Sequence, residues 1–215
     1  MSDAIVTVFE SIAEIHRLMP ESILFGSLLL YFLTQNLSFG IFSIFIFETV
    51  VTHKLISWMF SQSVGKSVPV NDIKCHVGYK TPRYDYERMF KHDIYPSYGV
   101  FSITAIGVYL GLAMREFSST LEAIDKSDPE STGDWKSRTT VALISILFVI
   151  SIIFVARWKL CEESLGEMLI AITCALATGG IFFYINKGLF GQESMNFLGL
   201  PTMIMQDNPV YVCSH

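Results

Sequence analysis

Apolar positions in this chain run on in long uncharged stretches and do not alternate with polar ones as strand positions do. A hydrocarbon core of about 30 Å takes about 20 apolar residues as helix. Residues 22–47, 94–114, 139–156 and 168–186 contain no Asp, Glu, Lys or Arg. The last three runs are bracketed by Asp93 and Arg115, by Arg138 and Arg157, and by Glu167 and Lys187, which marks each as a transmembrane span. Thr34, Gln35 and Asn36 interrupt the first run, and apolar residues continue beyond it through Val51 towards Trp58 and Phe60. It reads either as one long tilted helix or as a hairpin. A hairpin leaves residues 22–35 with a rise of about 21 Å, short for a crossing. One span is therefore expected, giving an all-α integral membrane protein with about four transmembrane helices, or five if the first run is a hairpin.

An amphipathic helix is expected over residues 1–21. Ile5, Val8, Phe9, Ile12, Ile15 and Met19 fall on one face and Thr7, Glu10, Ser11, Glu14 and Arg17 on the other, with Ser2 as cap and Pro20 as stop. Asp3, Glu10 and Glu14 stand where a signal peptide would be basic. Interfacial helices that bind anionic lipid carry Lys and Arg on the polar face. This one is acidic, so Ile5, Phe9 and Ile12 are expected to dock on protein, with a neutral membrane surface or a loop as the alternatives.

The bundle then covers residues 22–186, with a juxtamembrane loop at 48–93, an acidic loop at 115–138 and a tail at 187–215. Nine Lys or Arg lie in the first and third loops, against six in the termini and middle loop. The positive-inside rule puts the first and third loops on the cytoplasmic side. Residues 80–98 are dense in Tyr and Arg, which reads as an ordered surface at headgroup level. In the tail, Phe197, Leu198, Leu200, Pro201, Met203 and Met205 make an apolar ribbon too short to span. It is expected to fold back on the bundle or to dock on a partner.

Composition agrees with the pattern. Hydrophobic residues make up 51% and charged ones 16%, against about 25% charged in soluble domains, and the mean hydropathy is +0.45. A net charge of -5 and a pI near 5.5 leave no clustered basic excess for nucleic acid. The four cysteines show no paired spacing, and neither Cys75-His76 nor Cys213 with His215 has a second ligand pair for a metal. HExxH, GxSxG, P-loop and dinucleotide motifs are absent, so no catalytic, metal or cofactor site is expected.

Small residues mark two packing faces: Gly107 with Gly111, and Ala171, Ala175 and Gly179 at every fourth position. These faces serve packing within the bundle or homo-oligomerisation. Residues 139–156, rich in Ile and Val on every side, read as the span most exposed to lipid, Ile146 included. Glu48 and His53 read as the point where the first helix reaches the interface, or else as a proton relay or ion site within the membrane.

The segment Gly191-Gln192-Glu193-Ser194-Met195-Asn196-Phe197-Leu198-Gly199-Leu200-Pro201, with Pro20-Glu21-Ser22-Ile23-Leu24-Phe25-Gly26 and Leu33-Thr34-Gln35-Asn36, resembles multispanning membrane proteins of large icosahedral DNA viruses of algae and their relatives. The likeness touches about a fifth of the chain, and the acidic middle loop has no counterpart in it. It implies a structural virion protein in the internal membrane beneath the capsid, in contact with minor capsid proteins, and in host membranes during assembly. It carries over no catalytic residues. The alternative function is a small membrane channel or transporter.

Overall fold

The computed structural model describes residues 22–63, 96–117, 135–160 and 164–196. Among them the chain is helical: α1 (Ser22–Thr34), α2 (Leu37–Ser63), α3 (Tyr98–Glu116), α4 (Trp135–Leu160) and α5 (Leu165–Phe190), followed by a 3₁₀ turn, Gln192–Met195. Four of these helices are long and apolar enough to cross a membrane, so the chain is an all-α membrane protein in class. The amphipathic helix expected at 1–21, with Ile5, Phe9 and Ile12, lies outside the described residues. So do Phe197, Leu198, Leu200, Pro201, Met203 and Met205 of the tail.

The first span differs from the expectation. Residues 22–47 are not one helix, because α1 stops at Thr34 and α2 starts at Leu37. Gln35 takes a left-handed conformation, φ 56°, and its N–H closes the last turn of α1 on the Tyr31 carbonyl at 2.8 Å. Asn36 then caps α2, its side-chain oxygen accepting from the Ser38 N–H at 3.0 Å. The two helices fold back on each other. The Ser27 and Ser43 hydroxyls meet at 2.7 Å, and the Tyr31 ring lies against Gly40. The thirteen residues of α1 rise about 20 Å, so α1 is a partial-length limb. The crossing helix is α2, apolar over Leu37–Phe60.

This shift also relocates the first loop. It was expected from residue 48, but α2 continues to Ser63, and Glu48 and His53 lie within the helix, not at its interface. α4 and α5 are longer than their charge-free runs because they take flanking charges into their end turns, whereas α3 starts only at Tyr98 and takes in Arg115 and Glu116 at its end. In α5 the start is fixed by Ser164, which accepts from the Glu167 N–H at 3.2 Å. Gly191, at φ 84°, ends it.

The centre of the bundle is α3, which packs on α2, α4 and α5. It is antiparallel to α2, since the Phe45 ring stacks on Tyr109 at 4.0 Å while His53 meets Phe101 at 5.0 Å. It is parallel to α5, which brings Lys187 to Glu116 at 2.6 Å. The α1–α2 turn and the C-terminal ends of α3 and α5 therefore share one side of the bundle. In the core, Tyr109 stands between Phe42, Phe45 and Phe183.

The small residues divide between two contacts. Gly107 and Gly111 face α4, where a Cβ on Gly107 would stand 2.8 Å from the end of Ile150 and 3.0 Å from Ile146, and one on Gly111 3.7 Å from Leu143. Ala171 and Ala175 are fully buried, and a Cβ on Gly179 would stand 2.8 Å from the carbonyl oxygen of Ala105 in α3. Only 11% of the apolar window of α4 is buried, against 61% for α3, so α4 is the span most open to lipid. Ile146, however, sits on its one packed face against Gly107.

These contacts rank four substitutions. Gly179→Ala forces backbone against backbone and is expected to cost about 1–3 kcal/mol. Gly107→Ala meets side chains, the end of Ile150 and the branch methyl of Ile146, and costs less, and Gly111→Ala and the outward Leu147→Ala are near neutral. Thermal unfolding of the four variants in detergent checks the order, which fails if Gly179→Ala is as stable as Gly111→Ala.

At the α1–α2 turn, Gln35→Gly removes a left-handed side chain and is expected to leave stability unchanged or raised, by up to about 1 kcal/mol. Asn36→Ala deletes the cap and is expected to lose about 1 kcal/mol. The same unfolding measurement checks both signs.

Candidate functional site

Ionisable side chains in a span are expensive, and Glu48 stands near the middle of Leu37–Phe60. On the helical wheel Glu48 lies at the border of the buried α2 face, next to the exposed one carrying Ile44, Phe47, Val51 and Leu55. The carboxylate is half-buried there. Its Oε2 accepts from the Nδ2 of Asn186 at 3.1 Å, a contact between residues 138 positions apart in sequence. Both side chains lean towards the N-terminus of their own helix, as helical side chains do. Because α2 and α5 run in opposite directions, they lean towards each other.

The register that brings Asn186 here is set lower in α5. Gly179, Phe183 and Asn186 follow one another on one face of the helix. Once Gly179 is against Ala105, Phe183 meets Tyr109 edge-on at 5.6 Å and Asn186 reaches Glu48. Asn186 is 1% exposed, and its Oδ1 has no hydrogen-bond partner among the described residues.

Tyr109 completes the cluster. Its side chain is fully buried beside Asn186, and its hydroxyl donates to the Sδ of Met195 at 3.3 Å. Met195 arrives there because Gly191 stops α5 and the 3₁₀ turn folds back on α2 and α5. Lys187 lies one residue beyond Asn186, but its ammonium is taken by Glu116. Beside that ion pair, Leu112, Arg115, Glu116, Phe183 and Tyr184 line an open groove of about 300 Å³.

His53 forms a second polar contact about one and a half turns from Glu48 towards the other end of α2. It is buried, its ring lies edge-on to Tyr98 at 4.9 Å, and its Nε2 lies 2.7 Å from the Pro96 carbonyl. A carbonyl only accepts, so Nε2 carries the proton. The contact ties α2 to the start of α3. Most other hydroxyls in the spans are kept within their own helix: Thr49, Ser145, Ser151, Thr173 and Thr178 each donate to the carbonyl four residues back.

The expected site residues are thus distributed rather than gathered. Gly179, Ala175 and Ala171 line the α3–α5 contact that positions Asn186, whereas Gly107 and Gly111 lie on the opposite, α4 side of α3. Asn186 and Tyr109 were not singled out in the sequence, and Met195 was read only as part of the apolar tail. The available signal was Asn186 itself, a side-chain amide in the last turns of an otherwise apolar span. Among the described residues no group of three or more His, Cys, Asp or Glu is placed to hold a metal ion.

The pair makes a prediction. Asn186→Leu removes the donor from Glu48 and is expected to destabilise the bundle by about 1–3 kcal/mol. Glu48→Gln keeps an acceptor and is expected to change little. Unfolding of both singles and of the Glu48→Leu, Asn186→Leu double variant gives the coupling; strictly additive losses would mean that the contact contributes nothing.

No protein-family model, curated protein or solved structure matches the chain.

Proposed function

We propose that this chain is a structural membrane protein that fixes partner-docking segments to a bilayer. In the setting its resemblance indicates, it links the internal membrane of a large icosahedral virus particle to capsid or minor capsid proteins, with no turnover of its own. The observation that carries this reading is the return of the chain at Met195. After α5 leaves the bundle, the 3₁₀ turn brings Ser194 and Met195 back into it, both buried, with Met195 against Tyr109. The apolar ribbon from Phe197 to Met205 therefore departs from a fixed point. A tail held at its root loses less entropy when a partner orders it than one hanging from a fraying helix end. The filled aromatic centre of Phe42, Phe45, Tyr109 and Phe183 supports a bundle that bears load more than one that opens.

One observation favours the second reading, a small channel or transporter: Glu48 at mid-span. Purified protein in liposomes separates the two, because ion flux above that of protein-free vesicles would support the second and count against the first.

For the structural reading, deletion of residues 197–215 retains Met195 and all five helices. The shortened chain is expected to stay in the membrane pellet after alkaline carbonate extraction but to be lost from purified particles. Recovery in particles at the level of the full chain would overturn the proposal.

A further inference from the structure

An ionised carboxylate inside a bilayer needs a compensating positive charge, from the protein or from something bound. Glu48 has no ion pair among the described residues, and its one hydrogen bond is the neutral amide of Asn186. Among the described residues, none of the charged groups on the surrounding elements, Lys54 on α2 included, is paired with Glu48. On α5 and α3, Lys187 and Glu116 hold each other at 2.6 Å, and Arg115 lines the groove at the end of α3. Tyr109 gives its proton to Met195, and its hydroxyl also meets the Asn186 side chain. On α2 itself, His53 faces Pro96. On α1, Tyr31 packs on Gly40.

A second observation points to the same place. The amide of Asn186 stands at the carboxylate, is almost wholly buried, and has an Oδ1 that accepts from nothing among the described residues. Buried carbonyl oxygens rarely go without a donor. A side-chain amide also reverses its oxygen and nitrogen without changing shape. Turned over, Asn186 offers an oxygen to Glu48 at the place where it now offers an N–H. Glu48 and Asn186 would then present two oxygens about 3 Å apart, which suits a shared proton or a small oxygen-loving cation.

We propose that Glu48 and Asn186 form an intramembrane binding site for a small monovalent cation, a proton or Na⁺, reached from the open edge of the Glu48 carboxyl between α2 and α5. The inference rests on this pair and not on the structural reading, and it stands or falls separately from particle recovery. The occupant neutralises the carboxylate, and its release restores the Asn186 N–H to an ionised Glu48. The chemistry is reversible binding: a proton or Na⁺ leaves to water or to an exchange partner, and no covalent bond of the protein changes.

Dicyclohexylcarbodiimide tests this with the full-length protein in phosphatidylcholine liposomes. It partitions into bilayers and reacts with protonated carboxyls: the acid proton passes to a carbodiimide nitrogen, the carboxyl oxygen adds to the central carbon, and the adduct rearranges to a stable N-acylurea with nothing lost. The adduct is read by mass on the peptide containing residue 48, with Glu48→Gln as the blank. In choline chloride, labelling is expected to fall about tenfold for each pH unit above its midpoint, as one-proton binding requires. Replacing choline by Na⁺ distinguishes the occupants: suppression at constant pH assigns Na⁺, and no change assigns the proton. Asn186→Leu is expected to shift the midpoint or remove the Na⁺ effect. The proposal is overturned if residue 48 is unlabelled in every buffer, if labelling ignores both pH and Na⁺, or if Asn186→Leu reproduces the unaltered profile.

Discussion

Most of the described architecture follows from how closely α5 approaches α3 at Gly179. With a Cβ there, the Ala105 carbonyl oxygen would be 2.8 Å away, so only glycine permits the approach. Lipid tails are as apolar as the helix surfaces, and close backbone contact is what favours helix over lipid as a neighbour. Once that approach is fixed, the helical repeat does the rest. Phe183 falls beside Tyr109, Asn186 beside Glu48 and Lys187 beside Glu116, in order along α5. A shift of one residue would rotate all three away by about 100°. The packing contact and the polar cluster are therefore consequences of a single register.

The bilayer imposes a second constraint, that polar groups find partners inside the protein. The bundle meets it at several scales. Hydroxyls bond to the preceding turn of their own helix, even on lipid-facing α4, where Ser145 and Ser151 do so. At the α1–α2 turn the freed backbone groups are taken by the Gln35 and Asn36 caps. Between helices, His53 answers the Pro96 carbonyl, which precedes the Ser97 N-cap of α3 and so lies outside the helix ladder. The Ser57, Ser97 and Thr104 hydroxyls and the Asn186 Oδ1 are buried without a partner among the described residues, and of these only Asn186 stands next to a carboxylate.

The four long helices were legible because their lengths in uncharged residues match a bilayer, and that signal is local. The same criterion misplaced the first span. It stops at any charge, so it ended the helix at Glu48, although Ile41, Phe45, Thr49, His53 and Ser57, all buried, recur every fourth residue and carry the helix past it. Periodicity would have served better there than charge. The turn was legible too: Thr34-Gln35-Asn36 was seen as an interruption, and Asn ahead of an apolar run is a good N-cap. It was discounted because α1 is short for a crossing, and α1 does not cross alone but leans on α2 through Ser27 and Tyr31. The small-residue faces were visible as spacing, yet spacing does not say which helix each face meets. The partnership of Glu48 with Asn186 was not readable at all, since it joins residues 138 positions apart through the packing of a third helix.

The polar cluster and the root of the tail are one place. Asn186 holds Glu48 from α5; five residues later Gly191 reverses the chain, and four after that Met195 takes the hydroxyl of Tyr109, the ring that lies beside Asn186. The loop so closed is short and its two ends, Asn186 and Met195, are buried against Tyr109, so a displacement of the Asn186 amide is felt directly at that ring. A change in what Glu48 binds would act first on that amide, then on Tyr109 and Met195, and so on the point from which the apolar ribbon leaves the bundle. A coupling of this kind needs two arrangements of a packed element that the two sites bias differently. If Glu48 takes up and releases a cation as proposed, the Asn186 amide is one such element, placed between that carboxyl and Met195 at the root of the tail.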